Sequence, residues 1–447
     1  MHLTQALGNF VADLSPNRIP DEARRVARMG FTDCIGTMIA GRYEDAPQIL
    51  RRVLAPAGGD ASLYFSEHRA PAPEAAWING TAGHALDFDD VALRGHPSTV
   101  LVPAILAEAE MLDASGDDML TAYIAGYETW AELFHRDTGL HHGKGWHPTG
   151  IFGAIGAAAA CAKLRKLDAA RTAQAIALGA SQSAGIMANF GTMTKPFHAG
   201  RAAHAGLMAA RLAEAGFTAS PDALEHPQGF LSAVSPAGDV NRSDPVGLGT
   251  EWRILSQGLG IKKYPTCYCT HRSIDAMLDL MERQPLKPDD IKQMTVSISE
   301  NFATILRNHA PDTGLAAKFS MEFAVSSAVI ARKVGLAELT DGFVRRPDVQ
   351  ALMGRVRIET NTDYDPEMSG ASRHDQVRID LTNGGTAETE QVRRATGHPT
   401  RPLSDAQLYE KFRDCLEVGK SEVPAEAVFQ RLRDMQQLQA RQITALH

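Results

Sequence analysis

The chain has 447 residues, 44% hydrophobic and 22% charged, with a formal net charge of -8. That length allows about two or three domains with a large buried core, the composition excludes a disordered segment, and the acidic balance lacks the basic field that nucleic acid requires. Aromatic residues are only 6%, and alanine is abundant, as in Ala157 to Ala160; because alanine is the strongest helix former, a mostly helical protein is expected.

In chain order, Leu3, Ala6, Leu7, Phe10, Val11 and Leu14 recur at helical spacing, and Pro20 followed by Asp21 and Glu22 marks the start of a second helix. The chain therefore opens on a helical hairpin, and Gln5, Asn9 and Asp13 break up the apolar stretch that a secretory signal needs. Alanine-rich periodic segments follow to about residue 260, among them 104–112, 119–135 and 202–215, separated by Gly, Pro or Asp. This pattern predicts a helical bundle. Its longest apolar run, 151–162, stops at Lys163 after about 12 residues, short of the roughly 20 that a membrane helix needs, so no membrane span is expected. Gly150, Gly153 and Gly156 are spaced for one face of a helix, which points to close helix packing rather than a phosphate loop.

The texture changes after Tyr264-Pro265. Residues 294–299 and 355–360 alternate with β-branched side chains, and 376–392 reads as two strands joined at Asn383-Gly384-Gly385. Segments 275–283 and 320–334 read as helices between them. Helical pattern returns in 405–415 and 425–440. The expectation is a mainly α protein with a large, discontinuous helical-bundle domain (1–263 and 402–447) and a smaller α+β domain (264–401).

Common cofactor signatures are missing: the sequence holds no G-x-x-x-x-G-K-[ST], H-E-x-x-H or G-x-S-x-G, and no strand followed by G-x-G-x-x-G. The cysteines, five in number, imply no disulfide framework and suit a reducing cytoplasm. Cys267 and Cys269 lack a second pair at zinc spacing, so packed thiols are expected rather than a metal site.

The densest polar cluster is His84 to Asp90, followed by Arg94-Gly95-His96-Pro97-Ser98. Its three aspartates, Asp87, Asp89 and Asp90, cannot all be buried and ionised, so at least one is solvated, paired or shifted in pKa. A D-x-D-D acid of carbocation chemistry would want an aromatic-lined pocket, which suits this chain poorly. His96, His141, His142, His147 and His198 all fall at turns or helix starts, and histidine is the side chain whose ordinary pKa best suits proton transfer near neutrality. Lys195, His198 and Arg201 open a long helix, where backbone N–H groups favour an anion such as a carboxylate. Lys262 and Lys263 form a second basic pair at the expected domain junction.

Five blocks resemble the MmgE/PrpD family: HALDFDD at 84–90, GHPST at 95–99, GWHPTGIFGAIGAAAA at 145–160, KPFHAGRAAHAG at 195–206 and KKYPTCYCTHRSIDA at 262–276. The resemblance spans nearly the whole chain. It implies that the α+β domain is a lid, that the protein is a homodimer, and that catalysis uses neither metal nor organic cofactor. It points to Asp87, His96, His147, Lys195 and Lys262 as catalytic, with His198, Arg201 and Lys263 assigned to substrate binding. The implied substrate is a small polycarboxylate. The implied reaction is proton abstraction next to a carboxylate, as in a 2-methylcitrate dehydratase-like hydro-lyase, with an iminodisuccinate-type epimerase as alternative. Val91, Cys267 and Phe323 stand where the decarboxylase branch of the family has polar side chains, which disfavours decarboxylation. A polycarboxylate-binding protein without turnover is the competing class.

Overall fold

Where the sequence repeats alanine with leucine and isoleucine, the structure, a computed structural model describing residues 2–137, 139–368 and 370–446, forms helices. The chain divides into two units, 1–261 with 405–447, and 262–404. The breaks expected at 263/264 and 401/402 thus fall at 261/262 and 404/405.

The first unit contains α1 (Leu3–Asp13), α2 (Asp21–Ala40), α3 (Asp45–Leu54), α4 (Ala72–Ala85), α5 (Ser98–Leu112), α6 (Gly116–Phe134), α7 (Pro148–Leu164), α8 (Ala169–Ser181) and α9 (Thr194–Glu214). Helices α5 and α7 are buried almost along their whole length, as an all-round apolar helix must be. The glycines of α7 serve close packing. A Cβ on Gly150 would lie 2.1 Å from the Ala184 carbonyl oxygen, and one on Gly153 would lie 3.1 Å from Val100. Among the described residues no helix is long and apolar enough to cross a membrane.

One feature of this unit is not visible in the pattern. A hairpin of β1 (Ala61–Ser62) and β2 (Arg69–Ala70) interrupts the helices; strands this short show no period-2 alternation to read. The Ser62 N–H anchors it by donating to the buried Glu110 carboxylate at 2.7 Å.

The C-terminal segment packs back on the first unit through helices Asp405–Val418 and Ala425–Arg433. The expected continuous helix over 425–440 instead stops at Asp434 and resumes as a single turn at Met435–Gln437 and a short helix at Ala440–Ile443. Lys411 explains the docking: its ammonium is buried, pairs with Asp33 of α2, donates to the Phe88 carbonyl at 2.8 Å and lies 4.0 Å from the centre of the Phe88 ring. It therefore ties the last segment to the loop that carries the polar cluster.

The second unit holds a four-stranded sheet in the order β4-β3-β5-β6, with β3 (Ile291–Ser299), β4 (Val356–Asn361), β5 (Gln376–Leu381) and β6 (Thr386–Glu388). Strands β3 and β4 run parallel, and the others pair antiparallel. The hairpin at Asn383-Gly384-Gly385 forms as expected, with Gly384 at φ +87, a conformation that costs glycine nothing. Strand β3 begins at Ile291, ahead of the expected start at 294, and a register shift between Ile291 and Gln293 hides the alternation of those first residues. Its core face carries Met294, Val296 and Ile298 against Val377, Ile379, Met277 and Val325, the last two from helices His271–Arg283 and Met321–Ile330.

Candidate active site

Helix α4 ends at Ala85, and Asp87 follows in the left-handed conformation at φ +52, which aspartate tolerates better than most residues. Its N–H still donates to the His84 carbonyl at 3.2 Å. The chain then dips inward through Phe88, Asp89 and Asp90, all buried, pairs Val91 with Gly260, and reverses between Ala92 and Gly95 through Leu93 and Arg94, both at positive φ. This reversal returns His96 to the end of α4, and one ligand-type atom from each of His84, Asp87, Asp89 and His96 lies within 4.8 Å of the others.

Asp89 sits between two imidazoles. His84 Nδ1 lies 2.9 and 3.0 Å from its two oxygens, and His96 Nδ1 lies 3.1 Å from Oδ2. His96 Nδ1 is also 2.9 Å from the Asp90 carbonyl oxygen, and the His96 N–H donates to Thr149 Oγ1 at 3.2 Å. On the other edge of the His96 ring, Nε2 lies 4.0 Å from Asp87 Oδ1. That same oxygen accepts from Lys195 Nζ at 2.8 Å, from the first turn of α9.

His147 caps the start of α7, and its N–H donates to the Gly185 carbonyl at 3.0 Å. Its ring stacks on His84 with centroids 6.0 Å apart, meets Phe190 edge-on at 4.8 Å, and places Nδ1 3.1 Å from Nδ1 of His198. Gly185, at φ +125, lies so close under His198 that an added Cβ would be 3.2 Å from that ring. No other residue fits there without strain. Lys195 Nζ completes the cluster 5.4 Å from the centre of the Phe190 ring.

Burial decides the protonation states. It lowers His84 to about 4 despite Asp89, and it pushes His147 far down, with further lowering from His84 and Lys195; both are neutral imidazoles near neutral pH. Burial also tends to raise Asp89, but the imidazoles of His84 and His96 outweigh it and hold that carboxyl well below the usual range. Asp90 goes the other way: burial and then the nearby Asp33 push it well above the carboxylate range, even with Ser98 Oγ donating to it at 2.5 Å. The three aspartates therefore separate into a salt-bridged Asp87, an ionised Asp89 and an Asp90 displaced toward its acid form.

Asp87, His96, His147, Lys195 and His198 are thus brought together within the first unit. Arg201 turns elsewhere: its guanidinium lies 5.6 Å from the centre of the Trp77 ring and bonds to His204 Nδ1 at 3.1 Å. In the second unit, Lys262 is buried, and Lys263 lies 3.6 Å from Asp275 and 5.2 Å from the centre of the Tyr264 ring. Phe323 is a core side chain packed with Val344, Val349 and Met353, and the Cys267 N–H donates to the Lys318 carbonyl at 2.8 Å. His141 packs edge-on against Phe152, whereas burial and the proximity of His96 lower His142 to about 4. Sequence reading assigned no role to His84. Its signal was the five-residue spacing to Asp89 across a helix end. An open crevice of about 530 Å³ lined by Trp146, Ser183, His226 and Phe230 is a separate feature of the first unit.

Comparison with known proteins bears on this arrangement. The chain is 26% identical over 427 residues to cis-aconitate decarboxylase of Mus musculus, covering 92% of this chain and 86% of that protein. It is 29% identical over 359 residues to the Homo sapiens protein of the same name, covering 77% and 73%, and 24% identical to that of Aspergillus terreus over 440 residues, covering 92% and 88%. The MmgE/PrpD N-terminal domain matches residues 5–243 and the MmgE/PrpD C-terminal domain matches residues 264–434, so the chain belongs to the MmgE/PrpD family.

Proposed function

We propose that the protein is a lyase that removes a proton from the carbon next to a carboxylate of a small di- or tricarboxylate, without metal or organic cofactor. It is an enzyme of the MmgE/PrpD family working on small carboxylic acids. One observation carries the reading: Asp87 Oδ1 lies 2.8 Å from Lys195 Nζ and 4.0 Å from His96 Nε2, with the neutral His147 beside them. An ammonium neutralises a substrate carboxylate and the enolate-like charge that develops as the α-proton leaves, and a carboxylate or imidazole takes that proton. Lys262, Lys263 and His198 serve in this reading as further carboxylate-binding groups. Arg201, expected in the same role, lies against the Trp77 ring and bonds to His204. A cytoplasmic homodimer is part of the same reading.

In the finer reading the enzyme is a hydro-lyase of the 2-methylcitrate dehydratase type. The electrons of the broken C–H bond form a C=C bond, the neighbouring C–O bond breaks, and the departing hydroxyl takes a proton from a general acid to leave as water. The relatives' name supports a second reading, cis-aconitate decarboxylation, in which the C–C bond to a carboxylate breaks, carbon dioxide leaves, and the carbanion takes a proton. Val91, Cys267 and Phe323 weigh against decarboxylation and leave water loss and epimerisation open. Epimerisation of iminodisuccinate needs only return of the proton on the opposite face.

Proton NMR in D₂O with 2-methylcitrate, cis-aconitate and iminodisuccinate separates these outcomes. Replacement of the 2-methylcitrate methyl doublet by a downfield, allylic methyl singlet is the expected result, because the new C=C bond is fully substituted. Carbon dioxide release from cis-aconitate would establish decarboxylation instead, and deuterium at a retained stereocentre of iminodisuccinate would establish epimerisation. Tight binding with no change in any of the three would leave a binding protein.

A further inference from the structure

His96 has two edges, and the structure treats them differently. Nδ1 faces the Asp90 carbonyl oxygen at 2.9 Å and Asp89 Oδ2 at 3.1 Å. A peptide carbonyl can only accept, so the hydrogen must sit on Nδ1. Nε2 then carries the lone pair, on the edge that faces Asp87 at 4.0 Å. The Asp89 carboxylate is in turn held from its other side, because His84 Nδ1 reaches both of its oxygens at 2.9 and 3.0 Å. His84 is fully enclosed and fixed by its neighbours, with ring centroids 4.4 Å from His96 and 6.0 Å from His147. Its Nε2 is buried with no hydrogen-bond partner among the described residues. That orphan has a reason in this geometry: with Nδ1–H committed to Asp89, the neutral ring presents Nε2 as a bare acceptor.

We infer that Asp89 and His84 are positioning residues, a buried imidazole–carboxylate pair that locks His96 as its Nδ1–H tautomer so that Nε2 exchanges the proton with substrate. A carboxylate gripped by one imidazole could swivel away from the other; gripped by two it cannot. The same logic orients the catalytic imidazole in hydrolases built on a buried aspartate. The inference rests on the proposed proton-transfer chemistry for its purpose, although the tautomer itself is a property of the resting protein.

The test starts with wild-type protein labelled with ¹⁵N-histidine and no substrate, His96 being assigned by the signal lost in His96→Gln. The expected spectrum shows a protonated, pyrrole-type Nδ1 and a bare, pyridine-type Nε2 for His96 at a pH where the ring is neutral. An Nε2–H tautomer would overturn the inference whether or not a substrate is known. Asp89→Asn leaves the Asp90 carbonyl as the one charge-free acceptor held at Nδ1, so the Nδ1–H preference should weaken and the Nε2–H share rise, with kcat falling about 100-fold and KM changing far less. His84→Phe keeps the stacked ring but frees one side of the carboxylate, and should give a smaller loss of kcat in a folded protein. A folded Asp89→Asn enzyme with wild-type kcat would contradict the positioning role; if that variant does not fold, the wild-type spectrum and His84→Phe decide. Failure of every candidate acid to react would remove the functional reading while leaving the tautomer to the resting spectrum.

Discussion

Lys195 Nζ lies 2.8 Å from Asp87 Oδ1, joining the first turn of α9 to the residue just past the end of α4. Both side chains keep some exposure, 15% and 23%, so the pair is reachable by a solute and held mainly by geometry. In the proposed reaction a substrate carboxylate would compete with Asp87 for Lys195, and this sets different expectations for the two residues.

Lys195→Ala should raise KM and also lower kcat, because the ammonium neutralises the carboxylate in both ground and transition states. Asp87→Asn should chiefly lower kcat, by about 100-fold or more as is typical for loss of a proton-transfer group. Steady-state kinetics of the two variants on the same acid check this. Wild-type turnover by Asp87→Asn would make Asp87 structural and pass its task to His96 or His147.

Chelation tests the metal-independent part of the reading. His84, Asp87, Asp89 and His96 bring ligand-type atoms within 4.8 Å of one another, but Nδ1 of both histidines is directed at the Asp89 carboxylate and Lys195 already supplies positive charge at Asp87. Prolonged EDTA treatment should leave activity unchanged. Loss of activity that one divalent ion restores would reassign these four residues as ligands.

The Lys411–Asp33 pair is buried on both sides, 4% and 0% exposed. Lys411→Met leaves a carboxylate stranded in the interior and frees the Phe88 carbonyl, so urea unfolding should show a loss of about 3 to 5 kcal/mol. The double variant Lys411→Met/Asp33→Leu should recover most of it, because removing both charges is far cheaper than removing one. No recovery would show that Lys411 acts through Phe88 alone.

Glu128 gives a pH signature with a definite sign. Burial raises it to about 7, although the Arg253 and Ile254 N–H groups donate to it at 3.0 and 2.9 Å and oppose the shift. The native state therefore binds a proton at pH values where the unfolded chain, near 4.5, has released it. Its stabilising contribution is complete below about 4.5 and is lost as pH rises toward 7. Glu128→Gln cannot ionise, so its urea midpoint relative to wild type should climb across that interval and level off above it. A constant difference from pH 4.5 to 8 would contradict the shift.

Much of this is legible in the amino-acid sequence. The bundle, the change of texture after Pro265 and the hairpin at Gly384 follow from periodicity and turn chemistry, and the HALDFDD and GHPST blocks pointed to Asp87 and His96. The remainder depended on three-dimensional facts without a sequence period. The reversal from Ala92 to Gly95 decides that His96 faces Asp89, and the left-handed turn at Asp87 decides which way its carboxylate points. Arg201 stands near a helix start, which points to an anion site, and only the structure shows its guanidinium against the Trp77 ring and bonded to His204. The division of Asp87, Asp89 and Asp90 into a paired carboxylate, one held below the usual range and one pushed above it came from burial, the imidazoles of His84 and His96, and Asp33, more than fifty residues away in the chain.

The most direct test of the central claim is deuterium tracking at the carbon next to a carboxylate, with wild-type enzyme and Asp87→Asn compared on small di- and tricarboxylates in D₂O. The account predicts that wild type removes that proton from at least one of these acids, seen as product formation or deuterium wash-in, and that Asp87→Asn does so about 100-fold more slowly or worse. Acids that bind wild type tightly yet keep every α-proton would contradict it.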